Sequence, residues 1–295
     1  MSDYRYYFCT DEAGASLGLD LLDRVFEDEG LPVATMEIDE DRKIWEVSIY
    51  APGDPDETLR QRIAECVAAD FPDAEIQLET FAETDWIAKS LEGLKPVRAG
   101  RFMVHGAHDR GAVRAHDLAI ELEAGQAFGT GHHGTTAGCL EMIEIVMRAH
   151  PSGPASVNPV LDLGTGSGVL AIAAAMLGPV KVLATDIDPV ATRVARDNVR
   201  HNHAAGQVDC VTATGFHSTA FRDAGPFGLI IANILARPLM RMAPDIKRNL
   251  APGGSVILSG ILASQRWQVL AAFKGQGMRH VQTLWRNGWV TIHLK

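Results

Sequence analysis

The run PVLDLGTGSGVLAIAAAML (159–177) restricts the possible folds more than any other part of the chain. PVLDL is a continuous apolar strand, of the kind buried on both faces of a parallel sheet. GTGSG is a turn, and VLAIAAAML is a helix whose small residues let it lie close to that sheet. The alternation then recurs. KVLATDIDP (181–189) is a second strand ending in acids, and Pro189 opens the helix that follows. VDCVTAT (208–214) is a third strand and FGLIIANIL (227–235) a fourth. The helix ARPLMRMAPDIKRNL comes next and stops at APGG, before the strand SVILSGI (255–261). This repetition predicts an α/β fold with a doubly wound parallel sheet. After a helix over 264–275, HVQTLWR and WVTIHLK flank Asn287-Gly288, a strong hairpin signal. The sheet should therefore end in an antiparallel pair.

In such sheets a ligand binds beyond the carboxyl ends of the strands, where the strand order reverses. Three elements converge there. GTGSG (164–168) opens the first helix, Asp186 and Asp188 lie about twenty residues on, at a spacing that suits ribose hydroxyls, and Asn233 ends the fourth strand. A dinucleotide fingerprint needs G-x-G-x-x-G, but Val169 stands where its third glycine would fall. A Walker loop needs GK[ST], and no lysine follows. The bland alternative for GTGSG is a tight strand-to-helix turn; the acid at its spacing and Asn233 weigh against it.

The chain before this region has a different character. Residues 1–82 carry 21 Asp+Glu against 6 Lys+Arg, while the remaining residues carry 16 against 21. The shift predicts a boundary near residue 82, with either a solubilising acidic surface or a dock for a basic partner. Strands at 4–10, 33–39, 43–51 and 75–81 and helices at 16–30 and 56–71 spell βαββαβ, the ferredoxin-like order. No catalytic cluster occurs in it, so it reads as a recognition module. Residues 83–110 are a connector, with a short helix over 84–94 capped by Thr84, and Trp86 as either a substrate contact or, preferred, a buried anchor joining the two domains. Apolar residues make up 46% of the 295, no run reaches the length a membrane helix needs, and the N-terminus lacks a signal-peptide pattern. The four cysteines are scattered with no CxxC, which suits a reducing cytoplasm.

One stretch packs no core at all: GQAFGTGHHGTTAG (125–138). Its glycines let backbone fold over a small ligand, and its threonines offer hydroxyls. A zinc site at His132-His133 is disfavoured, because adjacent histidines cannot easily face one ion and no third ligand stands at metal spacing. Asp109, His105 and His116 read as surface residues. DLGTGSG followed by ATDIDP and ANIL resembles the class I S-adenosylmethionine-dependent methyltransferases. AFGTGHHGTT (127–136), DLGTGSGVLAIAA, DIDP, ANILARPL and LSGIL together resemble the methyltransferases of ribosomal large-subunit protein L11. The flavoprotein β-subunit lysine methyltransferases share these motifs.

The resemblance implies a Rossmann-like seven-stranded methyltransferase domain over 111–295, preceded by a small ferredoxin-like α+β domain. It implies S-adenosylmethionine as cofactor, with contacts from Thr136, Gly164, Asp186 and Asn233, and with Phe128, Thr130 and Gly166 as lesser cofactor-loop candidates. It implies N-methylation of lysine, and of an N-terminal amine, on a basic ribosomal protein. The flavoprotein β subunit is the alternative substrate, and a non-catalytic nucleoside-binding module the distant one. ANIL departs from the NPPY of amino-purine and glutamine methyltransferases. No metal, membrane or direct nucleic-acid contact is expected, and no general base is identifiable.

Overall fold

The computed structural model describes residues 3–26, 29, 31, 33–39, 42–81, 96–122, 133–148 and 153–295. The chain divides into two units, Met1–Glu92 and Gly93–Lys295.

The first unit runs β1 (Asp3–Thr10), α1 (Glu12–Phe26), β2 (Val33–Asp39), β3 (Ile44–Pro52), α2 (Glu57–Val67) and β4 (Gln77–Phe81), with sheet order β2-β3-β1-β4. Every pairing is antiparallel. Alternation along β1 and β3 puts Tyr6, Phe8, Val47 and Ile49 into the core beneath α1 and α2, where Phe26, Leu22 and Ile63 meet them. Helix α1 begins earlier than its apolar spacing suggests, because the Asp11 side chain accepts the backbone N–H of Gly14 at 2.8 Å and so caps it. Its described residues run to Phe26.

The second unit opens with a three-stranded sheet, β5 (Val97–Ala99), β6 (Phe102–His105) and β7 (Leu118–Glu121), ordered β5-β6-β7. His105, expected at the surface, is buried on β6, its Nδ1 lying 2.8 Å from the Gly106 carbonyl. All four residues of β6 are buried, so the position is set by its strand, a pattern too short to read from periodicity. Helix α3 (His133–Arg148) follows. Then come β8 (Val160–Leu163), α4 (Val169–Leu177), β9 (Val182–Asp186), α5 (Pro189–His201), β10 (Val208–Thr212), α6 (Thr219–Ala224), β11 (Phe227–Asn233), α7 (Ala236–Asn249), β12 (Leu250–Leu262), α8 (Arg266–Gly275), β13 (His280–Arg286) and β14 (Trp289–Leu294).

These last strands form one seven-stranded sheet, ordered β10-β9-β8-β11-β12-β14-β13. The first five are parallel, β14 runs antiparallel to β12, and β13 runs antiparallel to β14 and so along the first five. The turn Asn287-Gly288 has positive φ at both residues, 44° and 78°, as a two-residue hairpin requires. One face of the sheet buries α3 and α4, with Leu140, Ile143, Ile172 and Ala173 fully enclosed. The other buries α7 and α8 through Leu239, Ile246, Val269 and Phe273. The strand order reverses at β8, where the chain returns to lay β11 on its far side.

Candidate functional site

Beyond β8 the chain turns sharply through three glycines with left-handed backbone: Gly164 (φ 75°), Gly166 (φ 52°) and Gly168 (φ 84°). Side chains rarely tolerate that region. Gly164 has a second reason to be glycine: a Cβ there would stand 2.3 Å from Cγ2 of Ile234. The turn is pinned from behind. The carbonyl of Thr185 accepts the N–H groups of both Gly164 and Thr165 at 2.8 Å, and Asn198 Nδ2 donates to the Ser167 carbonyl at 2.9 Å.

The register of the sheet sets the neighbours of this turn. Leu163 pairs with Thr185 on one side and with Ala232 on the other. Gly164, Asp186 and Asn233 therefore follow at one level on three adjacent strands, with Asp186 and Asn233 roughly 10 Å apart across two strand spacings. Asp186 is half-buried; its Oδ2 accepts the Gly166 N–H at 2.9 Å and its Oδ1 the Asp188 N–H at 3.1 Å. Asp188 is used differently. Its Oδ1 accepts the Val190 N–H at 2.7 Å and caps α5, so of the two acids it is Asp186 that faces the glycine turn.

Ser259 on β12 pairs with Asn233 and carries the arrangement to α3. Its Oγ lies 2.9 Å from Thr291 Oγ1 and donates to the Thr135 carbonyl at 3.5 Å. A Cβ on Gly138 would meet Thr291 Oγ1 at 2.4 Å, so the glycine lets α3 lie directly on the sheet. Thr136, the next residue after Thr135, is half-buried in the first turns of that helix. Of the residues singled out from the sequence, Gly164, Gly166, Asp186 and Asn233 thus come together at the strand ends, and Thr136 lies on the helix held at the end of β12. Phe128, Thr130 and the loop 125–132 lie outside the described residues, as do Trp86 and the expected helix over 84–94. The side chain of His133 does too.

Two residues escaped the sequence reading. Asp162, inside the apolar strand β8, is fully buried. Its Oδ2 accepts Thr165 Oγ1–H at 2.6 Å and the Ala171 N–H at 3.1 Å, while Oδ1 has no hydrogen-bond partner among the described residues. Burial pushes its carboxyl up to about 7, opposed by those hydrogen bonds and aided by the charge of Asp186. An acid two residues before a glycine turn, inside an apolar strand, was the available signal. Ile187, next to Asp186, is 68% exposed, an apolar side chain left uncovered at the strand ends. Among the described residues no cluster of His, Cys, Asp and Glu could hold a metal, and no helix is long and apolar enough to cross a membrane.

Residues 17–295 match the family model described as ribosomal protein L11 methyltransferase (PrmA). A ribosomal protein L11 methyltransferase of Sinorhizobium fredii is 61% identical over 294 residues, covering 100% of this chain and 99% of the relative. One from Rhizobium johnstonii is 60% identical with the same coverage. Among solved structures, a ribosomal protein L11 methylase from Lactobacillus delbrueckii subsp. bulgaricus is 32% identical, covers 68% of this chain and 97% of its own, and superposes with a TM-score of 0.58.

Proposed function

The chain belongs to the ribosomal protein L11 methyltransferase family, and from that premise we propose that it transfers methyl groups from S-adenosylmethionine to amines of ribosomal protein L11. The observation that carries the reading is the alignment of Gly164, Asp186 and Asn233 at one level on β8, β9 and β11, at the point where the strand order reverses. The relatives named above are ribosomal-protein methyltransferases, which favours that substrate over the flavoprotein β subunit.

The residues present fit the nucleoside half of the cofactor. Asp186 accepts the Gly166 N–H of the turn with Oδ2 and the Asp188 N–H with Oδ1, and keeps acceptor capacity for a vicinal diol. Glycine at 164 and 166 leaves backbone open to close approach. Ile187 offers an apolar surface for a flat base to cover. Asn233 and Thr136 supply amide and hydroxyl groups for the amino-acid end. When bound, S-adenosylmethionine supplies an activated methyl on a sulfonium.

The work left to the protein is alignment and control of one proton. Positioning of donor and acceptor supplies the larger share of such a displacement. The accepting amine must be neutral, yet a free lysine titrates near 10.4. Desolvation at the strand ends would lower that value, and the proton can leave to water. The acidic first unit, 21 acids against 6 bases over residues 1–82, suits presentation of a basic protein. The four free cysteines suit work in a reducing cytoplasm.

The test is to incubate purified L11 with the protein and S-adenosylmethionine and weigh the product. Successive mass gains of one methylene, mapped to lysine or N-terminal amines by peptide fragmentation, are expected. An unchanged mass alongside demonstrable cofactor binding would refute the substrate.

A further inference from the structure

On the opposite face of the seven-stranded sheet from α3, at its β13 edge, two tryptophans stand in the open. Trp267 on α8 is 68% exposed and Trp285 on β13 is 60% exposed. Between them Arg266 is buried, with its guanidinium carbon 4.4 Å from the centre of the Trp267 ring and 5.4 Å from that of Trp285. Its Nε donates to Thr283 Oγ1 at 3.2 Å, and Thr283 also meets His280 Nε2 at 2.9 Å. The guanidinium is thereby fixed and holds both indoles in place. Val281, at the irregularity in β13, is also exposed.

The charge around this platform has one sign. Residues 246–295 contain seven Lys and Arg and no Asp or Glu. Arg286 pairs with Glu141 and Arg248 with Asp245. Arg266, Lys274, Arg279 and Lys295 meet no carboxylate among the described residues. Lys274 lies eight residues beyond the enclosed Arg266 on α8, roughly 12 Å at 1.5 Å per residue, so it adds a cation further along the helix that carries Trp267.

Against the expectation from the sequence of no direct nucleic-acid contact, we propose that this face, the Trp267–Arg266–Trp285 platform with its flanking cations, docks single-stranded RNA. Exposed flat rings stack unpaired bases, and a guanidinium between them adds a cation to the stack, while the cations track phosphates. A double helix keeps its bases stacked on one another and would not use the indoles. An acidic peptide would need the cations alone. The choice of RNA rests on the reading above, because the proposed substrate is a component of an RNA-containing particle. The platform is separate from the glycine turn: four strand spacings, roughly 19 Å, lie between β8 and β13.

The test is fluorescence anisotropy of a labelled oligoadenylate titrated with the full-length protein, with tryptophan emission recorded in parallel. Expected are saturable binding, quenching of the indoles, and affinity that falls as salt rises. Trp267→Ala/Trp285→Ala should weaken binding at least about tenfold. Both side chains are exposed, so the melting curve should stay at wild-type position, and methylation of free L11 should persist. That activity separates failure of this proposal from failure of the enzymatic reading. No binding, or binding indifferent to the double substitution, would overturn the proposal. So would equal affinity for oligoglutamate, since charge alone would then explain the face. Self-association of the protein abolished by the double substitution, without RNA binding, would reassign it to a second copy of the chain.

Discussion

Asp162→Asn isolates one buried charge. The carboxyl is wholly enclosed, its Oδ1 has no hydrogen-bond partner among the described residues, and it is raised from 3.8 to about 7. A folded state that holds its proton more tightly than the unfolded chain loses stability as pH rises. The contribution is therefore fully present below 3.8 and disappears as pH climbs through about 7. A rise of about three units corresponds to roughly 4 kcal/mol at 1.36 kcal/mol per unit, taken as an upper bound because structure relaxes around a buried ion. Asparagine keeps an oxygen for Thr165 and Ala171 and carries no charge at any pH. The variant should thus gain on the wild type by up to that amount between pH 3.8 and about pH 7, and keep the gain at higher pH. The assay is urea unfolding of both proteins across that range. With two units the curves need not be two-state, so the quantity to follow is the wild-type-minus-variant difference, in which the other titrating groups cancel. A difference that stays flat with pH would refute the claim that Asp162 is held protonated in the fold.

Other perturbations follow from the same geometry. Asp186→Ala removes the acceptor facing the glycine turn and should weaken S-adenosylmethionine binding by at least about tenfold in calorimetric titration, the value of a hydrogen bond to a charged group; unchanged affinity would remove Asp186 from the site. Gly164→Val places a branched side chain at φ 75° where even a Cβ would stand 2.3 Å from Ile234, so a loss of about 2 kcal/mol or more is expected, read as a lowered melting temperature with cofactor binding lost. His293 is lowered to about 4 by burial and by Lys295, His280 and Arg279, with its Nε2 3.0 Å from Ser255 Oγ. Its folded form prefers to be neutral, so its contribution stands above 6.5 and is lost as pH falls through about 4; His293→Gln should flatten that acid limb of the unfolding profile.

How much of this was legible in the chain depends on whether the cause is local. The glycines at 164, 166 and 168 and the pair Asn287-Gly288 announce turns because each meets a backbone demand that only neighbouring atoms impose. Pro189 marks the start of α5 for the same reason, since its fixed φ is a property of its own ring. The strands β8, β9 and β11 were readable because burial on both faces writes a continuous apolar run. What escaped notice acts across the chain. Asp162 sits in such a run, and only the fold brings Thr165, Ala171 and Asp186 around it. The three short strands of β5–β7 are too brief for alternation to show, and His105 became buried with one of them. Asp188 and Asp186 looked equivalent at the ligand end until hydrogen bonding committed one to a helix and left the other facing the turn. A binding site assembled from strand ends is visible in sequence to the extent that its backbone must be unusual; which side chains face it is decided by register, and register is a property of the whole sheet.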